Sequence, residues 1–187
     1  ILSLPAYAQE AAPEWENSYG TQGTMELGLN GSVTFPLVFV DAPSEFPDEA
    51  GPTNVLLQPF FKYFFQDRIH ADITWLYSMS YAEEIEFVQP ESEQTISVFY
   101  PSVGYTLPLA PQFQLDASLN LGFLSYTVDD ESESAFSYGF TLMALSPISE
   151  SAVIGVGIVL TWSAIDYGDE EVTILQRTMP IQVSFYF

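Results

Sequence analysis

Apolar and polar residues alternate one by one along eight stretches of this chain. Gly23–Phe35 sets Met25, Leu27, Leu29, Val33 and Phe35 against Thr24, Glu26, Gly28, Asn30, Ser32 and Thr34, and the phase runs on through Leu37 and Phe39. The same period recurs in Thr53–Phe65, Ile69–Tyr81, Thr95–Leu107, Gln112–Tyr126, Ala135–Leu145, Ser151–Ser163 and Val172–Phe187. A period of two places successive side chains on opposite faces of a β-strand, so these stretches predict eight strands, each with one greasy and one wet face. In the last, Phe187, Phe185, Val183, Ile181, Met179 and Leu175 share a face that only Arg177 interrupts.

Eight such strands suit a soluble barrel with its apolar face inward or a membrane barrel with that face outward. The polar face separates the two. It is mostly Gly, Ser, Thr, Asn and Gln, small groups that fill a narrow lumen by mutual hydrogen bonds; a water-exposed sheet would be rich in Lys and Glu. The opposite face is nearly pure hydrocarbon and ring, which a soluble protein could not leave in water. The connections alternate long and short. The four long ones hold 17 of the 25 acids, whereas the short turns hold only Asp67 and Glu150, so charge is sorted to one side of the sheet. Aromatics gather near both strand ends: Tyr63, Phe65, Tyr105, Phe113, Phe185 and Phe187 at one, Phe35, Tyr81, Phe99, Phe123, Phe136 and Trp162 at the other. Such girdles mark two membrane–water interfaces. The expected fold is therefore all-β, an eight-stranded antiparallel up-and-down transmembrane β-barrel over residues 23–187.

Composition narrows the partners. Three Lys+Arg against 25 Asp+Glu leave a formal charge of -22, which excludes a nucleic-acid binder. There is no Cys, hence no disulfide, thiolate metal site or Cys nucleophile. The longest apolar stretch, Ala152–Trp162, is too short for a membrane-crossing helix of about 20 residues. Residues 1–8, ILSLPAYA, have the look of a signal-peptide remnant with Ala6-Tyr7-Ala8 as cleavage site, and residues 9–22 of a polar periplasmic lead-in.

A terminal Phe behind alternating aromatics, here Val183, Phe185 and Phe187, resembles the closing strand of bacterial outer-membrane barrels. With the strand count and lead-in, the chain resembles the small eight-stranded class typified by outer membrane proteins A, X and W. The resemblance implies that the terminal strand is the signal read by the barrel assembly machinery. It also implies location in the bacterial outer membrane, contact with its lipid and lipopolysaccharide, and a monomer. No subfamily motif carries functional residues over.

Few residues could do chemistry. Charges expected inside the lumen are Glu26, Lys62, Asp72 and Asp116, with His70 at the periplasmic rim. Lys62 is the one cation among three carboxylates. Strand heights put it level with Glu26 and Asp72, so it is expected to bridge those two, and its loss to loosen the closure of the lumen. His70 with Asp72 could serve a serine, but no G-x-S-x-G motif is present, and a hydrogen-bonded structural histidine is the favoured reading. Asp129, Asp130, Glu131 and Glu133 form a candidate Ca²⁺ or Mg²⁺ loop without EF-hand spacing, so a solvated, self-repelling loop is favoured and no cofactor is expected. The expected function is a non-enzymatic structural or surface-interaction barrel with acidic extracellular loops. The alternatives are a narrow conduit for small, hydrophobic solutes and, behind it, a lipid A-modifying enzyme.

Overall fold

The computed structural model describes residues 19–35, 37–40, 49–50, 54–82, 92–110, 112–128, 131–167 and 170–187. Residues 1–8, most of the lead-in, the centres of the first two long loops, and Asp129 and Asp130 lie outside the described residues.

Ten strands form one antiparallel sheet: β1 Met25–Thr34, β2 Leu37–Val40, β3 Glu49–Ala50, β4 Asn54–Gln66, β5 Ile69–Ala82, β6 Ser92–Ala110, β7 Phe113–Val128, β8 Glu131–Pro147, β9 Ala152–Tyr167 and β10 Glu170–Tyr186. The order is β1-β4-β5-β6-β7-β8-β9-β10, closed by β1 on β10. β2 continues β1 past Pro36 and stays paired with β10, and β3 adds to its outer edge. The wall is therefore an eight-stranded barrel. Closure pairs Glu26 with Tyr186 and Thr34 with Thr178, and the Met25 and Phe187 backbones exchange two hydrogen bonds of 2.9 Å. A closed barrel leaves no sheet edge, which is how strands satisfy their backbone in lipid.

The alternation lands as its phase requires. Leu119, Phe123, Leu57 and Ile181 are 72, 65, 63 and 61% exposed, while their neighbours Ser118, Gly122, Gln58 and Gln182 are buried. Rings of the two girdles stand on the outer face, from Phe65, Tyr105 and Phe185 below to Phe99, Phe123 and Phe136 above. A surface so uniformly apolar is a lipid-facing belt.

Two features depart from the sequence expectation. The stretches 127–134 and 164–171, expected as loops, are mostly strand: β7 and β8 pair up to Val128–Glu131, and β9 and β10 up to Tyr167–Glu170. Beyond the lipid both faces meet water, so a strand there has no reason to alternate. The second departure is an interrupted ladder. β4 and β5 pair from the Asp67–Arg68 turn only as far as Phe60–Thr74. Among the described residues, 54–59 and 75–82 are not paired with each other, although β4 stays on β1 and β5 on β6. Pro59, which has no N–H to donate, stands where the ladder stops. The β8–β9 ladder likewise ends at Ser137–Ser163. The two seams are four strands apart and so lie on opposite sides of the barrel.

Candidate functional site: the lumen charge cluster and its plug

Lumen-facing positions of β1, β4, β5 and β7 bring Glu26, Lys62, His70, Asp72 and Asp116 together. Register places Glu26 opposite Lys62 and Lys62 opposite Asp72, as strand heights suggested. The ion pairs do not follow the register fully. Lys62 Nζ lies 3.1 Å from Asp116 Oδ2 and 3.7 Å from Glu26 Oε2. The expected bridge to Asp72 is replaced by one to Asp116, across the lumen on β7. Asp72 turns to His70 instead, with Oδ2 at 3.3 Å from Nδ1, and His70 Nε2 lies 2.9 Å from Asp116 Oδ2. These histidine contacts have ion-pair distance without hydrogen-bond alignment. His70 is not at an open rim but fully buried. Gly104 makes the space for it: a Cβ there would run into the imidazole and Ser118 Oγ.

The two acids at the centre are heavily coordinated. Asp116 accepts hydrogen bonds from Thr106 Oγ1 at 2.8 Å and Ser118 Oγ at 3.1 Å as well as from Lys62. Glu26 accepts from Gln182 Nε2 at 2.6 Å, Ser184 Oγ at 2.5 Å and the Tyr19 hydroxyl at 2.6 Å. A buried carboxylate needs such partners to offset its lost hydration.

Tyr19 is the residue that sequence reasoning missed. It belongs to the stretch assigned as lead-in, yet it is fully buried beneath the barrel. Its ring meets Phe64 and Tyr186 edge-on, with centroids 5.4 and 5.2 Å apart. Burial, and then the Glu26 carboxylate, push its phenol well above its ordinary range, so it stays a donor. Arg68 clamps the backbone: Nη1 donates to the Tyr19 carbonyl and its amide to the Gly20 carbonyl, both at 2.7 Å. Gly20 and Gly23 take φ of 81° and 90°, which lets the chain double back before entering β1. Tyr19, Phe64, Met143, Leu145, Val153 and Tyr186 form an apolar layer across the periplasmic mouth. Phe64 and Tyr186 had left a signal: each is an aromatic on the wet face at a strand end.

Above this floor lies a cavity of about 70 Å³, lined among others by Gln58, Phe60, Lys62, Asp72, Thr74 and Ser102. That is room for a few waters. Phe60 points into the lumen as expected and is buried, whereas Leu56 is half-buried. The side chains of Leu76, Leu124 and Tyr126 lie outside the described residues.

Of the candidate divalent-ion loop, Asp129 and Asp130 lie outside the described residues, as do the side chains of Glu131 and Glu133, whose backbones belong to β8 opposite Val128 and Tyr126. Of the terminal triplet, Val183 and Phe185 face outward from β10, and Phe187 closes onto Met25.

The fold is that of the small eight-stranded outer-membrane barrels. The chain is similar to the outer membrane protein OprG from Pseudomonas aeruginosa (TM-score 0.64, 11% identity, 90% of this chain and 97% of that one). It is similar to Neisserial surface protein A (TM-score 0.60, 11% identity, 89% of this chain and 100% of that one). A third likeness is to Ail, the attachment invasion locus protein of Yersinia pestis, solved with the heparin analogue sucrose octasulfate (TM-score 0.57, 11% identity, 89% and 100% covered). No protein-family model and no curated protein matches the chain.

Proposed function

We propose that the protein is a non-enzymatic barrel of the bacterial outer membrane with a structural or surface-interaction role, its lumen closed to the periplasm. The observation that carries this reading is the floor, where an apolar layer led by Tyr19, Phe64 and Tyr186 lies beneath the Glu26–Lys62–Asp116–His70–Asp72 cluster. A solute would have to break both. The histidine supports the non-enzymatic part, because each ring nitrogen faces a carboxylate and Ser118 spends its hydroxyl on Asp116. A serine nucleophile needs one of those nitrogens as its base. Purified protein in planar bilayers should show no sustained single-channel steps; steady ohmic conductance would overturn the closed reading.

A specific observation favours a second reading, a lateral path for hydrophobic solutes. The floor blocks the periplasmic end only, while the β4–β5 ladder is unpaired above Phe60–Thr74 and the cavity reaches that level. If the ladder continued in register, Leu57 would face Tyr77. A Leu57→Cys, Tyr77→Cys pair should close the seam on oxidation. Binding of N-phenyl-1-naphthylamine, read by its fluorescence, should then fall and return on reduction. Binding indifferent to the disulfide would remove the seam as the route.

A further inference from the structure

The cavity and the seam together join a charged, acceptor-bearing interior to an apolar opening toward lipid. The cavity floor holds the carboxylates of Asp72 and Asp116, with Glu26 behind them, against the ammonium of Lys62 and the imidazole of His70. Three carboxylates outnumber these cations even when the imidazole is protonated. Two oxygen atoms on the cavity wall have no hydrogen-bond partner: Ser102 Oγ, on a residue only 6% exposed, and Asn30 Oδ1. Both can accept a hydrogen bond. The interior is thus net negative and has unused acceptors. At the level where the ladder stops, the wall turns apolar: Leu57, Phe61, Ile73 and Trp75 are 63, 40, 44 and 54% exposed toward lipid on either side of the seam.

We infer that the cavity is a binding site for single-chain amphiphiles with a protonated amine head, the alkyl tail leaving through the β4–β5 seam into the outer leaflet. This rests on the lateral reading above and adds the head-group class. An ammonium brings three donors to a wall with unused acceptors, and its charge offsets the excess of carboxylates. A carboxylate head of the same length brings no donor and meets like charge in a confined space where water screens it poorly. The volume suits a head group, with the remainder of the molecule outside.

The test compares dodecylamine with dodecanoate, both radiolabelled, on the full chain in phosphatidylcholine vesicles at neutral pH, with protein-free vesicles as the partition background. Dodecylamine should bind saturably, one per barrel, at least about tenfold more tightly than dodecanoate. Asp72→Asn should erase most of that preference, and Ser102→Leu, which fills the cavity, should abolish saturable binding. Should Ser102→Leu fail to fold, Ser102→Ala should still weaken dodecylamine several-fold. Equal binding of the two chains, with seam-dependent naphthylamine binding intact, would overturn the head-group assignment and leave the lateral reading standing. Saturable binding of neither chain, with naphthylamine indifferent to the disulfide, would overturn both.

Discussion

At the scale of single residues, the lumen shows that opposition in a ladder does not decide which charges pair. Lys62 has Glu26 on one side and Asp72 on the other in register, yet its shortest contact is Asp116, which belongs to a strand that β4 does not pair with. A long, flexible side chain in a narrow barrel reaches across the bore, and Asp72 is already turned to His70. The identities of the cluster were legible, because a charge on the wet face of a narrow barrel has nowhere else to go. Its pairing was legible only in part: the expected Lys62–Glu26 bridge is present at 3.7 Å, but the second partner is Asp116 rather than Asp72, since that choice depends on bore and tilt. Asp116 is consequently the member with most to lose. Asp116→Ala leaves the Lys62 ammonium only Glu26, at 3.7 Å, and should cost about 3–5 kcal/mol, as breaking a buried pair does. Asp72→Ala, which removes only the histidine contact, should cost clearly less. Denaturant unfolding in detergent micelles, followed by tryptophan fluorescence, gives the order; equal losses would show that Asp116 is not the hub. Tyr19→Phe isolates the cork's hydroxyl, whose bond to the Glu26 carboxylate should be worth about 1.5–3 kcal/mol in the same assay.

At the scale of elements, the strands were legible wherever lipid lay on one side and lumen on the other, because that contrast writes the period of two. It failed where both faces meet water. The extensions at 127–134 and 164–171 carry Asp and Glu at odd and even positions alike and look like loops, yet cross-strand pairing continues through most of them. The interrupted β4–β5 ladder was equally silent, for pairing leaves no composition signature apart from Pro59. Its consequence is measurable. In an antiparallel sheet alternate residues direct their backbone groups to alternate neighbours. Every second amide in 75–82, aimed at the missing β4 partner, should exchange quickly, while those bonded to β6 are slow. Residue-resolved hydrogen exchange in nanodiscs would show the alternation, and uniform protection through 75–82 would mean the seam is zipped in the membrane. The outward face makes a separate prediction. Leu119→Arg, at the most exposed large side chain among the described ones of β7, should cost about 2–4 kcal/mol near mid-membrane. Refolding into lipid vesicles with unchanged stability would contradict a lipid-facing Leu119.

At the scale of the whole molecule, the barrel has an apolar floor, a polar middle and a wall whose pairing gives way on opposite sides above it. The closure comes in two layers of different physics. The upper is a chain of ion pairs, strong only while both partners of each pair are present; the lower is apolar packing, which does not depend on any charge. The sequence reading assigned closure to Lys62 alone, because the lower layer draws Tyr19 from outside the strands. Lys62→Met should therefore separate stability from conduction. Removing the ammonium leaves Glu26 and Asp116 buried without their cation, so the barrel should lose about 3–5 kcal/mol, less where cavity water reaches the carboxylates. Tyr19, Phe64, Leu145, Val153 and Tyr186 remain packed beneath, so the variant should stay electrically silent. Conduction should begin only when the lower layer is also thinned, as in Lys62→Met combined with Tyr19→Ala and Phe64→Ala. Planar-bilayer recordings of both variants, with circular dichroism to confirm the folded barrel, decide the matter. Steady conductance from Lys62→Met alone would mean that the aromatic layer does not hold back water and ions, and that the ion pairs are the whole of the seal.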